Sequence, residues 1–160
     1  MSISNNSSLR IGGFQDVRVL LGTLESLGYR VTRIANEMMH AQPAPIFLKD
    51  KSINLSIASV ESIGFPTGAT KQEIRAKFSA SKLYPCPWIV GPLYRILYSD
   101  QVLGDKLHTG MIGIRTSCSE NKCIFTLTHD DRGLILDGED SEPDDFYEPF
   151  SKFILMRGWE

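Results

Sequence analysis

The sequence has no long hydrophobic run, little cysteine and no marked excess of either charge, and each of these shortages excludes a class of protein. No apolar stretch approaches the roughly 18 uninterrupted residues that a membrane-spanning helix needs. A formal net charge of -2 lacks the broad attraction to nucleic acids and anionic membranes that basic proteins show. We therefore expect partners that are neither nucleic acid nor membrane.

Cysteine is limited to Cys86, Cys118 and Cys123, an odd number in a chain that carries no secretory pattern. Cys118 and Cys123 have no second pair of ligands at zinc-finger spacing. Residues 1–8 are polar and contain neither a signal peptide nor a lipidation motif. These features predict free thiols, a cytoplasmic location and a disordered N-terminus over residues 1–8.

Signatures of catalysis and of metal binding are also missing. None of the three histidines, His40, His108 and His129, belongs to a metal-binding or nucleophile motif. The sequence contains no Gly-x-Ser-x-Gly nucleophile elbow and no glycine-rich phosphate loop. We therefore predict no catalytic residue, no metal and no cofactor.

What the sequence does contain is the composition of an ordinary globular protein, with 42% hydrophobic and 22% charged residues among 160. A chain of this length buries roughly 70% of the surface that its unfolded form exposes, which is enough for one core. We expect a single domain over residues 9–160.

Helix-start signals mark three helices, all in the first half of the chain. Each is preceded by a residue that can cap it, namely Asp16, Thr32 and Thr70. In the third helix Glu73 completes a capping box, and we expect the helix to end near Lys82. Its outer face is predicted to carry three basic residues, Lys71, Arg75 and Lys82. Such a stripe is usually solvated, although it can also meet an acidic partner.

Strand patterns begin after the prolines at 43 and 45. Alternating apolar residues predict a strand over 53–58, with a hairpin back to Ile46–Lys49. Five further strands are predicted at 93–98, 107–115, 123–129, 134–137 and 150–157. Short turns join most of them, which favours a meander. The fold class is therefore α+β, with two or three helices from the first half packed on a mainly antiparallel sheet from the second.

Arg95 is an isolated charge in an apolar segment. Such a charge must reach solvent or find a carboxylate, because an unpaired buried charge is very costly. One alternative is a structural ion pair or a side chain that extends to solvent; the other is an anchor for a small anionic ligand. Tyr98, Asp100 and Gln101 then form the rest of the candidate ligand site.

The second candidate site is the acidic run from Asp137 to Glu148, which holds seven acids and no base. Its self-repulsion predicts an extended, solvated loop, and its spacing does not fit a calcium-binding loop. Asp144, Asp145, Phe146 and Tyr147 are the predicted partner-binding residues, because charges steer association and aromatics supply contact area. The alternative is a crossover whose aromatics return to the core.

The central segment contains a series of short motifs, namely Cys86-Pro87, Val90-Gly91-Pro92, Leu93-Tyr94-Arg95 and Tyr98-Ser99-Asp100-Gln101. In these motifs the chain resembles a family of uncharacterised bacterial and phage-associated proteins. Trp88-Ile89 departs from the family pattern, in which a small residue and an acid follow the proline. The resemblance implies a shared fold and an accessory gene of mobile genomic regions, but no activity.

Two functions remain open from the sequence. The first is a non-catalytic binding module that engages a small ligand near Arg95 or a protein partner. The second is a small hydrolase-type enzyme that combines His108 or His129, Asp100 or Asp130, and Arg95. Homo-oligomers are also possible, because an open sheet has edge strands that a second copy can pair with. The strand at 150–157 is the candidate, and its apolar residues on both faces suit either a central strand or a covered edge.

Overall fold

The computed structural model describes residues 4–14, 16–42 and 51–159. The described helices are α1 (Val17–Ser26), α2 (Arg33–His40), α3 (Val60–Ile63), α4 (Lys71–Ala76) and α5 (Val90–Leu97). The described strands are β1 (Ser4–Ile11), β2 (Arg30–Val31), β3 (Lys51–Ser59), β4 (Ala69–Thr70), β5 (Lys106–Thr109), β6 (Ile114–Thr116), β7 (Ser119–Asp130), β8 (Gly133–Asp140), β9 (Phe146–Tyr147) and β10 (Lys152–Trp159). None of the described helices is both long and apolar enough to cross a membrane.

All three predicted helix starts are confirmed by their caps. The Asp16 carboxylate accepts a hydrogen bond from the Val19 amide at 3.0 Å, and the Thr32 hydroxyl accepts one from the Ala35 amide at 3.3 Å. Thr70 and Glu73 make both hydrogen bonds of a capping box. Side-chain oxygens satisfy amides that have no partner within the helix, so these residues fix where each helix begins.

The main sheet is mixed, with the strand order β1-β3-β10-β5-β7-β8-β2 and with β6 paired to β7. Strands β5, β7 and β8 are antiparallel neighbours, as predicted for the second half of the chain. Strand β10 lies between β3 and β5, antiparallel to the first and parallel to the second. A separate two-stranded sheet joins β4 to β9.

Helices cover both faces of the sheet. Gly91 of α5 packs on Phe125 of β7, and Met38 of α2 packs on Gly138 of β8. Ile124 points to the opposite face because neighbouring residues on a strand alternate, and there it shares a small cavity with Ile74 of α4. The fold class is therefore the predicted α+β, with four of the five described helices in the first half of the chain.

The predicted strand at 93–98 is wrong, because these residues belong to α5 and to the residue that caps its C-terminus. Pro92 lies in the first turn of the helix, where a missing amide costs no hydrogen bond. The alternation of Leu93, Arg95 and Leu97 resembled a strand, but a run this short fits both periods. Arg95 thus belongs to a helix and not to a strand.

The predicted meander is wrong for the last strand. A strand at the C-terminal end of a meander lies at an edge, whereas β10 occupies the centre of the sheet. The described edges of the main sheet are β1 and β2. Strand β1 also differs from the prediction of a disordered N-terminus, since the backbone from Ser4 onward pairs with β3. Polar residues in β1 are accommodated because an edge strand meets solvent.

Two further predicted elements differ in length, and a third lies outside the described residues. The predicted strand at 107–115 is split into β5 and β6 by residues 110–113, which belong to no strand. At Gly110 an added Cβ atom would lie 2.2 Å from a Leu155 methyl carbon. The third helix ends at Ala76 and is followed by a 3-10 turn at Ser79–Ser81. The predicted hairpin arm Ile46–Lys49 lies outside the described residues.

Candidate functional site

Arg95 is completely buried beneath α5, between the helix and the sheet. One terminal nitrogen, Nη1, donates to Gln101 Oε1 at 2.7 Å and to the Thr128 and Ile135 carbonyls, both at 3.2 Å. The other, Nη2, donates to the Tyr98 carbonyl. The guanidinium therefore joins the end of α5 to β7 and β8 through main-chain oxygens.

The charge of Arg95 has no described carboxylate within ion-pair distance and is compensated by dipoles and rings instead. Its guanidinium carbon lies 5.6 Å from the ring centre of Tyr29 and 6.0 Å from that of Tyr98. Burial lowers the pKa of Arg95, although arginine still remains charged in proteins. This arrangement compensates a buried cation without a counter-ion, although the buried Nε atom of Arg95 has no hydrogen-bond partner among the described residues.

Gln101 connects Arg95 to a carboxylate further away. Its side-chain amide donates to the Leu127 carbonyl at 2.9 Å and lies 3.3 Å from Asp105 Oδ2. Asp105 in turn forms an ion pair with Lys152 of β10 at 2.8 Å. Burial disfavours ionisation of Asp105, but Lys152 and Gln101 outweigh it and hold the pKa of this carboxyl below its ordinary value. The network ties α5, β7 and β10 together.

The structure thus brings three of the four predicted ligand-site residues into contact. Arg95 bonds the Gln101 side chain and the Tyr98 main chain, whereas Asp100 is exposed and outside the network. With no exposed surface and both terminal nitrogens bonded, Arg95 offers little to an incoming ligand. The geometry favours the structural alternative for Arg95.

The acidic run is only partly a loop. Its first four residues, 137–140, form the end of strand β8. A turn follows, in which the Asp145 carboxylate accepts from the Glu142 amide at 2.7 Å. The amides of Lys71 and Gln72 donate to the Asp145 and Pro143 carbonyls, both at 2.9 Å. The prediction of one extended loop is therefore wrong, because main-chain bonds to α4 hold this segment in place. Its predicted contact with solvent is confirmed at Asp140, Asp144 and Glu148, which are exposed.

The aromatic residues of this run separate into core and surface. Tyr147 is buried, and its hydroxyl lies 3.0 Å from the Ser141 hydroxyl. Phe146 is 57% exposed and Phe150 is 74% exposed. The Phe146 ring lies over Gly68, where an added Cβ atom would come within 2.5 Å of the ring. Gly68 has a φ of +91°, which also favours glycine, so the backbone here fixes the position of an exposed ring.

Carboxylates line a groove together with the Phe146 ring. An open groove of about 490 Å³ is lined by Glu139, Asp140, Asp145, Phe146 and Glu148, among others. We call the acidic–aromatic surface the set of Glu139, Asp140, Asp144, Asp145, Phe146, Glu148 and Phe150. Three of the four residues predicted to bind a partner belong to it, and the fourth, Tyr147, supports it from below.

A histidine and a glutamate meet in the wall of this groove. His108 Nδ1 lies 2.7 Å from Glu139 Oε1, but the approach is too oblique for a well-directed hydrogen bond. The imidazole stacks on Phe153 with ring centres 5.0 Å apart. Burial disfavours ionisation of Glu139, yet His108 and Lys106 outweigh it and hold the pKa of the carboxyl below its ordinary value. Sequence spacing does not reveal this pair, because it forms across two strands.

The groups named for a hydrolase are not brought together in the described part of the chain. His129 Nδ1 donates to the Gln101 carbonyl at 2.6 Å, and Asp130 lies 3.9 Å from Arg30. Asp100 is exposed, and Arg95 is committed to main-chain oxygens. The His108–Glu139 contact is the nearest approach to an acid–base pair among these residues.

The cysteines carry no sign of an activated thiol. Burial raises the pKa of Cys86 to about 12. Burial, with help from Asp140, raises the pKa of Cys123 to about 11. Cys118 is exposed, and a hydrogen bond to Glu37 raises its pKa as well. Because the thiolate is the reactive form, a raised pKa lowers the reactive fraction of each of the three cysteines. The described residues contain no group of three or more histidine, cysteine or acidic side chains that could hold a metal.

Lys71 is the clearest residue that sequence reasoning misplaced. It was predicted on the solvated face of the third helix, yet it is only 9% exposed. Its Nζ atom donates to the Ser141 carbonyl at 3.0 Å, because the acidic run folds over the start of α4. Lys71 and Arg75 line one cavity, and Lys82 lies beyond α4 in the chain.

Comparisons with known proteins add no family to this geometry: no family model, no curated protein and no solved structure matches the chain. The resemblance to uncharacterised bacterial and phage-associated proteins, and the mobile accessory gene that it implies, therefore stay predictions.

Proposed function

We propose that this protein is a non-catalytic interaction module that binds a basic segment of a partner protein on the acidic–aromatic surface. The observation that carries the proposal is the exposure of Phe146 in a groove that four carboxylates line, with Phe150 exposed four residues further along the chain. Exposed aromatic rings next to charge are typical of binding surfaces, since rings supply buried area and charges orient the partner.

The chemistry of the surface defines the partner. The groove wall holds the carboxylates of Glu139, Asp140, Asp145 and Glu148, while Lys106 and His108 are its basic groups. Lysine or arginine side chains of the partner would complement this excess of negative charge. An apolar residue of the partner would cover the Phe146 ring, which the backbone at Gly68 already holds in position. A surface ordered before binding loses less entropy when it binds.

Peptide selection tests this proposal. A display library of random peptides is selected on the wild-type protein, and the enriched peptides are titrated against Phe146→Ser and Asp144→Asn. We expect enriched peptides to combine lysine or arginine with apolar residues. Phe146→Ser should weaken peptide binding at least tenfold, because an interface residue of this kind contributes about 1.4 kcal/mol or more to the binding free energy. Leu97→Ser is the matched control, because Leu97 is also an exposed apolar residue, at 61%, but belongs to α5.

Two results would contradict the proposal. One is enrichment of peptides without basic residues. The other is equal affinity of the selected peptides for wild type and Phe146→Ser. Salt dependence gives an independent check, since charge steering weakens as ionic strength rises.

The His108–Glu139 contact favours a second candidate, a small hydrolase-type enzyme. A carboxylate that orients an imidazole beside an open groove is one part of an acid–base site. Turnover of activated esters by wild type, compared with His108→Gln, tests it. Loss of turnover in the variant, with an unchanged unfolding transition, would favour the enzyme. Equal background rates in both proteins would remove it.

A further inference from the structure

A second cavity is lined in part by Ser141, Glu142 and Pro143, at the start of the turn at 142–145. Its volume is about 420 Å³, within the range of small-molecule sites. Three cationic side chains line it, and they come from different parts of the chain: Lys71 and Arg75 from α4, and Lys122 from β7. The carboxylate of Glu142 is the acidic group in the wall, and its Oε1 atom accepts from the Lys122 amide at 2.9 Å.

Lys71 gives this cavity an unusual charge. Its ammonium is nine-tenths buried, and the described structure shows one hydrogen bond from its three protons, to the Ser141 carbonyl. No described carboxylate lies within ion-pair distance of it. Burial, then repulsion by Arg75, lowers the pKa of Lys71. A buried cation without a counter-ion is costly, so a bound anion would stabilise this part of the fold.

The shape of the cavity limits the ligand. Glycine at position 113 allows β7 and the chain before β6 to approach, since an added Cβ atom there would lie 2.8 Å from Lys122 Cβ. Ile112 and Pro143 form an apolar part of the wall. The volume exceeds what an inorganic anion fills and leaves room for an organic group against these two residues.

We propose that the cavity lined by Lys71, Arg75 and Lys122 is a binding site for a small organic phosphate. Three cations match a dianionic group with three terminal oxygens better than a single carboxylate, which needs one bidentate partner. This site is separate from the acidic–aromatic surface, because the cavity and the groove share no lining residue.

Calorimetric titration with phenyl phosphate tests the proposal on the full chain. We expect saturable binding of phenyl phosphate, weaker binding of inorganic phosphate and of benzoate, and no binding of phenol. Arg75→Gln and Lys122→Gln should each weaken phenyl phosphate binding about tenfold, the effect of losing one charge-assisted hydrogen bond. Both side chains are exposed, so these variants should fold.

Matched controls separate this site from general charge effects. Arg18→Gln removes an exposed cation from α1 and should leave the affinity unchanged. Phe146→Ser should also leave it unchanged, which keeps the test independent of partner docking. Lys71→Met should abolish binding and, because it removes a buried charge, keep or raise the midpoint of urea unfolding.

Several outcomes would overturn the assignment. Absence of saturable binding of phenyl phosphate at millimolar concentration would show that water alone satisfies Lys71. Equal affinity for benzoate would overturn the phosphate class, and equal affinity for inorganic phosphate would overturn an organic ligand. If Arg18→Gln weakens phenyl phosphate binding as much as Arg75→Gln and Lys122→Gln do, the ligand responds only to the overall charge of the protein.

Discussion

At the scale of single residues, the molecule places its most buried charge in a structural role. Arg95 has no exposed surface and bonds oxygens from β7, β8 and the segment that follows α5. A planar guanidinium suits this task because its donors point in fixed directions, which an ammonium cannot reproduce. We therefore assign stability, rather than ligand binding, to Arg95.

Arg95→Met tests that assignment. The substitution keeps a long apolar side chain but leaves Gln101 Oε1 and buried main-chain oxygens without their donor, so we expect a loss of about 2–4 kcal/mol in the free energy of unfolding. Urea denaturation followed by circular dichroism measures it. Arg132→Met, at a 69% exposed side chain, is the control and should stay within about 0.5 kcal/mol. An unchanged free energy of unfolding in Arg95→Met would contradict the structural role and favour ligand binding at Arg95.

Glu139 makes the folded state sensitive to acid. Because His108 and Lys106 hold its pKa below the ordinary value of 4.5, its ionised form stabilises the fold above that pH. This contribution disappears as the pH falls through the lowered pKa of the folded state. Glu139→Gln should therefore flatten the acid side of a plot of unfolding free energy against pH. Glu25→Gln, an exposed change on α1, should leave the slope as in wild type; equal slopes for Glu139→Gln and wild type would contradict this account.

Individual residues also show the limit of sequence reasoning about burial. The predicted exposure of Lys71 follows from the period of the third helix, and that helix exists. What buries Lys71 is the segment at 141–145, about 70 residues further on, whose path depends on the sheet. Helical period identifies a face but cannot identify what covers it.

At the scale of elements, local chemistry determined what could be predicted. Helices α1, α2 and α4 begin at their predicted caps, since capping depends on residues within one turn. Strands β7 and β8 form where alternation and a tight turn favour them. The helix α5 was missed because its apolar residues fit both a strand and a helix, and packing against Phe125 decides between them.

Glycine 91 is the residue that allows α5 to approach the sheet. A Cβ atom at this position would lie 2.8 Å from Phe125 Cβ, an atom fixed by its own backbone. Gly91→Ala should therefore lower the unfolding free energy by about 1–2 kcal/mol, since overpacking exceeds the gain in helix propensity. Thermal or urea unfolding measures the change.

Gly22 of α1 is the matched control, because an added Cβ atom there meets nothing within 4 Å. Gly22→Ala should raise the unfolding free energy by about 0.5–1 kcal/mol, through helix propensity alone. The same sign for both substitutions would show that the approach of α5 to Phe125 does not limit the fold.

At the scale of the whole molecule, the sheet order is the feature that the sequence least determines. Strand β10 is the last in the chain yet pairs with β3 and β5, which lie far from it in sequence. Turn chemistry specifies neighbours along the chain and carries no information about such long-range pairs. The acidic run at 137–148 could be predicted from composition. The groove and the His108–Glu139 contact could not, because they form only when the strands pair into the sheet.

The central claim is that this molecule binds its partner on the face that carries the acidic–aromatic surface and not at Arg95. Amide chemical-shift mapping with a peptide selected as above tests it most directly. We predict perturbations concentrated at residues 139–151, with the amides around Arg95 and Gln101 unchanged. Perturbations centred on residues 91–101, with residues 139–151 silent, would contradict the account.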